Sequence, residues 1–314
     1  MFMHFHTYVP LILYILILIC LVLFYLFLSP FLFLSVSCSM APKWKSSPSW
    51  NPFRSGASSS SDPTPSHVWF HDDKARKDFS ENFSRWDIHL ERQAILSDFS
   101  DTDLPIVIYN RGWESFCDIL VTCPSVIIQE FYSNMHGFDY SAPHFITHIR
   151  GMLIVVTLDI VSEVLRVSRV EFADYPRCER LRTMPKDELS SRFYETPLSW
   201  GDCQNTPCLG FAKGSRFSNM VMTFVFHPLS HYNSITKPRA WFLLSILEDI
   251  SIDFPSHFIL SLVDVYRDTA THDKLIFPSA ITRILCHFSV PFPESPHFTI
   301  MCAIDATTVR WSEA

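Results

Sequence analysis

The sequence predicts an α+β fold in which helices predominate. A single domain over residues 69–314 carries one small β-hairpin, and an apolar N-terminal segment and a disordered linker precede it. Three observations predict this. Apolar segments with helical periodicity recur through the C-terminal half, and prolines open them at Pro238, Pro255 and Pro278. Gly is scarce (7) and Pro common (21), which suits helices with proline stops and disfavours Gly-rich sandwiches and phosphate loops. One stretch, His144–Thr157, is β-rich, with Arg150-Gly151 as a turn signal at its centre. The 28 Phe provide volume for a sizeable core.

Residues 1–39 contain no Asp, Glu, Lys or Arg, so the formal net charge of −7 belongs to the rest of the chain. Leu11–Leu28 is an uninterrupted apolar run of about 27 Å as a helix, close to the hydrocarbon thickness of a bilayer. It reads as a transmembrane helix. Lys43, Lys45 and Arg54 follow it and only His4 and His6 precede it, an arrangement that keeps the body cytosolic. A cleaved signal peptide, with small residues at Ser35 and Ser37 or at Ser37 and Ser39, is the weaker reading. The apolar region is too long for one and no basic segment precedes it. A competing reading makes 1–39 a gene-model artefact. Its residues are mostly products of pyrimidine-rich codons, and Met40 opens MAPKWKSS like a natural start. The protein is then cytoplasmic or nuclear. Residues 40–68 are rich in Ser and Pro and cannot bury enough apolar surface to offset the entropy of ordering, so they read as a linker.

From Asp72 to Phe99 the positions Phe79, Phe83, Trp86 and Leu90 make one apolar stripe at helical spacing. Ile106–Tyr109 reads as a short strand, and Arg111-Gly112-Trp113 turns into a helix over Glu114–Leu120. Pro124 suits the first turn of a helix over Ser125–Met135, in which Val126, Ile127, Glu130, Phe131 and Met135 alternate between core and solvent. Leu158–Val167 resumes helical spacing with Asp159 near its start. Residues 168–215 read as long loops interrupted by a helix over Lys186–Tyr194. Helices follow over Phe217–Phe226, Pro238–Ile250, Pro255–Tyr266 and Pro278–Phe288.

These segments resemble the plant domain family called putative plant transposon protein, which is found in transposable-element-derived, retrotransposon-like gene models. The matching pieces run in order through roughly residues 70–300. They are Arg111-Gly112-Trp113, then Glu130-Phe131-Tyr132 with Asn134, then Arg150-Gly151 ahead of a β-type run. His227-Pro228-Leu229-Ser230-His231, Arg239-Ala240, and Phe277-Pro278 before Ile281-Thr282 complete the series. Met152 departs from the pattern, because a Lys commonly follows the Arg-Gly pair. The resemblance implies origin rather than mechanism, and it assigns structural rather than catalytic roles to these positions.

No catalytic constellation is legible. Asp305-Ala306-Thr307 is not the Asp-Ser/Thr-Gly of a retroviral-type protease, and the adjacent pair Asp72-Asp73 does not follow an aromatic as a polymerase pair does. Nine cysteines, odd in number and without a CxxC pair, read as reduced, mostly buried thiols. The best metal candidate is Cys203, Cys208, His227 and His231, but its Cys–His gap exceeds the finger range and Pro228 disturbs the helix, so satisfied structural histidines are the favoured reading. His67/His71 and His144/His148 share the i, i+4 spacing and show no third ligand nearby. Lys74, Arg76, Lys77, Arg85 and Arg92 are neutralised by six neighbouring carboxylates, so the acidic body does not support a nucleic-acid face. The expectation is a non-catalytic domain without cofactor that binds or assembles, through a protein partner or itself. The competing classes are a degenerate transposase or nuclease with scattered carboxylates and, if 11–28 is translated, a single-pass membrane-anchored protein.

Overall fold

The computed structural model describes residues 68–118, 120–196, 198–228, 232–270, 272 and 274–311, with the side chains of 309–311 left out. The apolar run at 11–28 and the linker at 40–67 lie outside the described residues. Among the described residues no helix is long and apolar enough to cross a membrane.

Helix α1 (Asp73–Glu81) starts where Asp72 Oδ1 accepts a hydrogen bond from Ala75 N at 2.7 Å, an N-cap. It ends at Asn82, whose backbone is not helical, so the expected continuous stripe is broken. Phe83 enters the core from a tight 3₁₀ turn (Phe83–Arg85), its ring edge-on to Trp86 at 5.1 Å. Strand β1 (Asp87–Ile88) follows. The second difference is α2 (Leu104–Asn110), where the sequence reads as a strand at 106–109. Pro105 stands in its first turn. Leu104 and Ile108, four apart, are buried while Ile106 and Tyr109 face solvent, a helical rather than an alternating pattern.

Helix α3 (Glu114–Asp118) leads to α4 (Ser125–Ser133), which lies at the centre of the domain. Ile127, Ile128, Glu130, Phe131, Tyr132 and Ser133 are all buried. The alternation expected for α4 fails at Glu130, which points inward. Phe131 meets Phe145 edge to face at 5.7 Å. Tyr132 Oη donates to Ile276 O at 3.0 Å and accepts from Ile276 N at 3.2 Å.

Strands β2 (His136–Asp139), β3 (His144–Ile149) and β4 (Met152–Thr157) form an antiparallel sheet in that order. The expected hairpin is β3–β4, paired from His144 with Thr157 to Ile149 with Met152. Arg150 and Gly151 both take positive φ (53° and 78°), as a two-residue turn matching the strand twist requires. The third strand, β2, is short and contains Gly137, which hid it in the sequence.

Helix α5 (Leu158–Leu165) is capped by Thr157 Oγ1, which accepts from Ile160 N, with Asp159 in the first turn. The irregular region holds two short helices, α6 (Glu179–Thr183) and α7 (Lys186–Ser191). Its strand β5 (Asn205–Pro207) pairs antiparallel with β6 (Ser234–Thr236). Helix α8 (Lys213–Val221) runs into a π turn at Met222–Phe226. Then come α9 (Lys237–Leu247), α10 (Phe254–Arg267), β7 (Lys274–Leu275, parallel to β1), α11 (Pro278–His287) and α12 (Ala306–Trp311). Helices predominate, so the α+β class holds. The core joins Trp113 to Phe226 and Phe254, with ring centroids 4.9 and 5.3 Å away. Burying each such side chain contributes about 1.5–3 kcal/mol.

Candidate functional site

The motif residues converge on backbone rather than on a cleft. Arg111 ends α2, and its Nη2 donates to Ser245 O (2.8 Å) and Ile250 O (3.1 Å) and approaches Ile246 O at 3.4 Å. These carbonyls belong to the C-terminal end of α9 and the turn after it. A buried cation there answers the negative end of the helix dipole. The guanidinium lies over the Trp113 ring at 5.1 Å. Gly112 takes φ +65°, which lets the chain reverse between Arg111 and Trp113.

Glu130 accepts from Arg150 N at 2.8 Å, which docks the hairpin tip on α4. Its other oxygen faces Arg150 Nε at 3.5 Å, an ion pair whose alignment falls short of a hydrogen bond. Burial raises the Glu130 pKa, and the Arg150 backbone bond and charge oppose the rise. Asn134 clamps a second segment. Its Nδ2 donates to Trp69 O and Glu130 O, both at 3.0 Å, and its Oδ1 accepts from His71 N at 2.9 Å.

Arg239 sits buried in the first turns of α9. Its Nη2 donates to Thr223 Oγ1 at 2.5 Å and Nη1 reaches Ser234 O at 3.4 Å. Burial lowers its pKa to about 10, so it stays protonated at neutral pH. Pro278 opens α11, and there the structure adds a residue that sequence reasoning missed. The fully buried carboxyl of Glu91 accepts from Ser279 N, and from Ala280 N at 3.3 Å, at the N-terminal end of that helix. Burial pushes its pKa up to about 8, against the lowering by these two bonds and by Arg283. Its neighbours His89, Arg92 and Gln93 are polar, so no local signal set Glu91 apart from the carboxylates counted as neutralising the nearby basic residues.

The sequence-predicted metal candidates are not brought together among the described residues. Cys203 is exposed and Cys208 buried, where its Sγ accepts from Asn219 Nδ2 at 3.4 Å. His227 lies half-buried against His257, ring nitrogens 3.1 Å apart. Burial and the neighbouring histidine hold His227 well below the usual imidazole range. His231 lies outside the described residues. The described cysteines are all free, but Cys203, Cys286 and Cys302 are exposed, so fewer are buried than expected. The structure instead groups His71 and His148, from the two pairs set aside for want of a third ligand, with His136. These residues are 65 and 12 positions apart, so no local spacing announces them.

Two surface clefts meet at Met220 and Tyr232. One, of about 290 Å³, is lined also by Cys208, Leu209, Arg216 and Asn219. The other, of about 460 Å³, is lined by Arg92, Cys302, Asp305 and Thr308. Arg92 is held there by the carbonyls of Cys302 (2.7 Å) and Ala303 (3.0 Å). Apolar side chains stand at or beside these clefts: Leu209 is 77% exposed, and Met301, next to Cys302, is 40% exposed.

The fold and its braces define a helix-rich α+β domain built around one central helix and a tightly docked hairpin. A family model described as "Putative plant retrotransposon-related domain" matches residues 109–291, more than half of the chain, and the chain belongs to that family. No curated protein and no solved structure matches it. The match bears out the transposon-related origin read from the motifs, over a narrower span than 70–300. All motif positions from Arg111 to Pro278 fall inside it.

Proposed function

We propose that this transposable-element-derived domain works by binding and assembly, as a gag-like or host-adopted interaction module, and not by catalysis. The observation that carries the reading is the division of its polar and apolar groups. Arg111, Glu130, Arg239 and Glu91 are directed inward and hold backbone or neighbouring side chains. Leu209 and Met301 meanwhile stand in solvent beside two joined clefts. Apolar surface rimmed by polar groups favours association. Among the described residues no three carboxylates lie within metal-ligand spacing, which is what a degenerate nuclease needs.

The partner in this proposal is a second copy of the chain or another protein, and self-association is tested first. Sedimentation velocity on the chain from Met40 onward, from about 1 μM to about 1 mM, tests this. The expected result is a reversible, concentration-dependent dimer or larger assembly; a dissociation constant of 1 mM corresponds to about 4 kcal/mol. A monomer at every concentration overturns it. The site of action follows from the N-terminus: the cytosolic face of a membrane if 11–28 is retained, the cytoplasm or nucleus if translation starts at Met40. Mass spectrometry of the native N-terminal peptide decides between them, and a peptide cleaved near Cys38 overturns both.

A further inference from the structure

The C-terminal end of α4 gathers three imidazoles from separate stretches of chain. His71 precedes α1, His136 opens β2 and His148 lies on β3. Because β2 pairs His136 with Ile146, His148 is its diagonal neighbour on the same sheet face. One ring nitrogen of each histidine lies within 4.8 Å of the others. His136 Nε2 and His148 Nδ1 are 3.3 Å apart. Two nitrogens held at about 2.0–2.1 Å by a tetrahedral zinc ion are also separated by about 3.3 Å. We propose that His71, His136 and His148 form a binding site for a divalent transition metal of the zinc class.

The surroundings of His71 point the same way. Asn134 Nδ2 donates to two carbonyls, so its Oδ1 is an acceptor, and His71 Nδ1 at 3.1 Å must donate to it. That bond occupies Nδ1 and leaves Nε2 as the nitrogen His71 can offer an ion, as the outer hydrogen bond of a metal-binding histidine does. The same Nε2 is 3.1 Å from Asp72 Oδ2.

The three rings lie within 11–24° of parallel, so binding one ion turns them about their Cβ–Cγ bonds. A cleft of about 290 Å³ bordered by His71, Asp72 and His136 leaves room for that rotation. Three imidazoles leave a fourth position for Asp72 or water. The ion then ties the segment before α1 to the sheet, a link that Asn134 makes from the other side. Neither role depends on the assembly reading.

The test uses the full-length chain in non-ionic detergent, stripped of metal and titrated with Zn²⁺ and, separately, Co²⁺. The expected result is one ion per chain and the visible bands of tetrahedral cobalt. His136→Gln and His148→Gln should each weaken Zn²⁺ binding by about tenfold or more. The exposed His287→Gln is the control and should change nothing. X-ray absorption of the zinc-loaded wild type covers the case of a variant that fails to fold. It should show imidazole nitrogen at about 2.0–2.1 Å and no sulfur at about 2.3 Å. Sulfur ligation, binding unaffected by either folded variant, or no stoichiometric binding overturns the site.

Discussion

Replacing Arg111 with Met keeps the apolar stem of the side chain and removes every donor. In the wild type the guanidinium serves Ser245 O and Ile250 O at the end of α9, beside a weaker approach to Ile246 O. A hydrogen bond to a charged group contributes about 1.5–3 kcal/mol, and a cation at a partly buried helix C-terminus adds up to about 2 kcal/mol. These overlap, because the same nitrogen provides both, so the expected loss is about 2–4 kcal/mol. For a domain of this size that lowers Tm by roughly 4–16 °C. Arg111→Lys keeps the charge but not the fork and should lose about half as much. Asp249 supplies the control. It pairs with Arg111 at 3.4 Å but is 83% exposed, so Asp249→Asn, which removes the charge and keeps a residue tolerated at its positive φ of 54°, should cost about 0.5 kcal/mol or less. Urea denaturation of the three variants, with m held constant, measures all of this. An Arg111→Met cost below about 0.5 kcal/mol, or an Asp249→Asn cost equal to it, refutes the brace.

Three other outcomes follow from the same geometry. Glu91 carries a pKa of about 8 in the fold against 4.5 as its ordinary value, so its stabilisation is complete below pH 4.5 and is lost as pH rises toward 8. Between pH 5.5 and 7.5 the wild type should lose about 3 kcal/mol relative to Glu91→Gln in urea titrations. His257, at about 4 against 6.5 and lowered by burial, has the opposite sign: its contribution is present above pH 6.5 and fades as pH falls toward 4. His257→Gln should therefore remove about 3 kcal/mol of acid sensitivity over that window, read from the difference between variant and wild type. Gly137→Ala meets a positive φ of 65° and places a Cβ 3.2 Å from Ile146 Cδ1. It should cost about 1–2 kcal/mol by thermal unfolding.

What the sequence disclosed was local. Proline at the first turn marked α9, α10 and α11, and two positive-φ residues at Arg150-Gly151 carried the hairpin whose turn was read in advance. The motif order pointed to the family. Failures came where tertiary packing decides. The apolar run at 106–109 is too short for its period to separate helix from strand, and burial of Leu104 with Ile108 settled it. Glu130 was placed by helical phase alone, yet an inward position is stabilised by a backbone N–H arriving from Arg150, twenty residues away. The grouping of His71, His136 and His148 depends on Asn134 anchoring the segment before α1 and on a strand pairing with a short partner. Neither leaves a spacing in the sequence.

The central claim is that this domain acts through its apolar surface while its polar motif residues hold the fold. The most direct measurement is the association constant of Leu209→Glu combined with Met301→Glu, beside the wild type, by sedimentation velocity, with Tm recorded on the same samples. The account predicts that association is lost while Tm changes little, because both side chains already face solvent. Association unchanged by the two charges, or lost only together with folding, contradicts it.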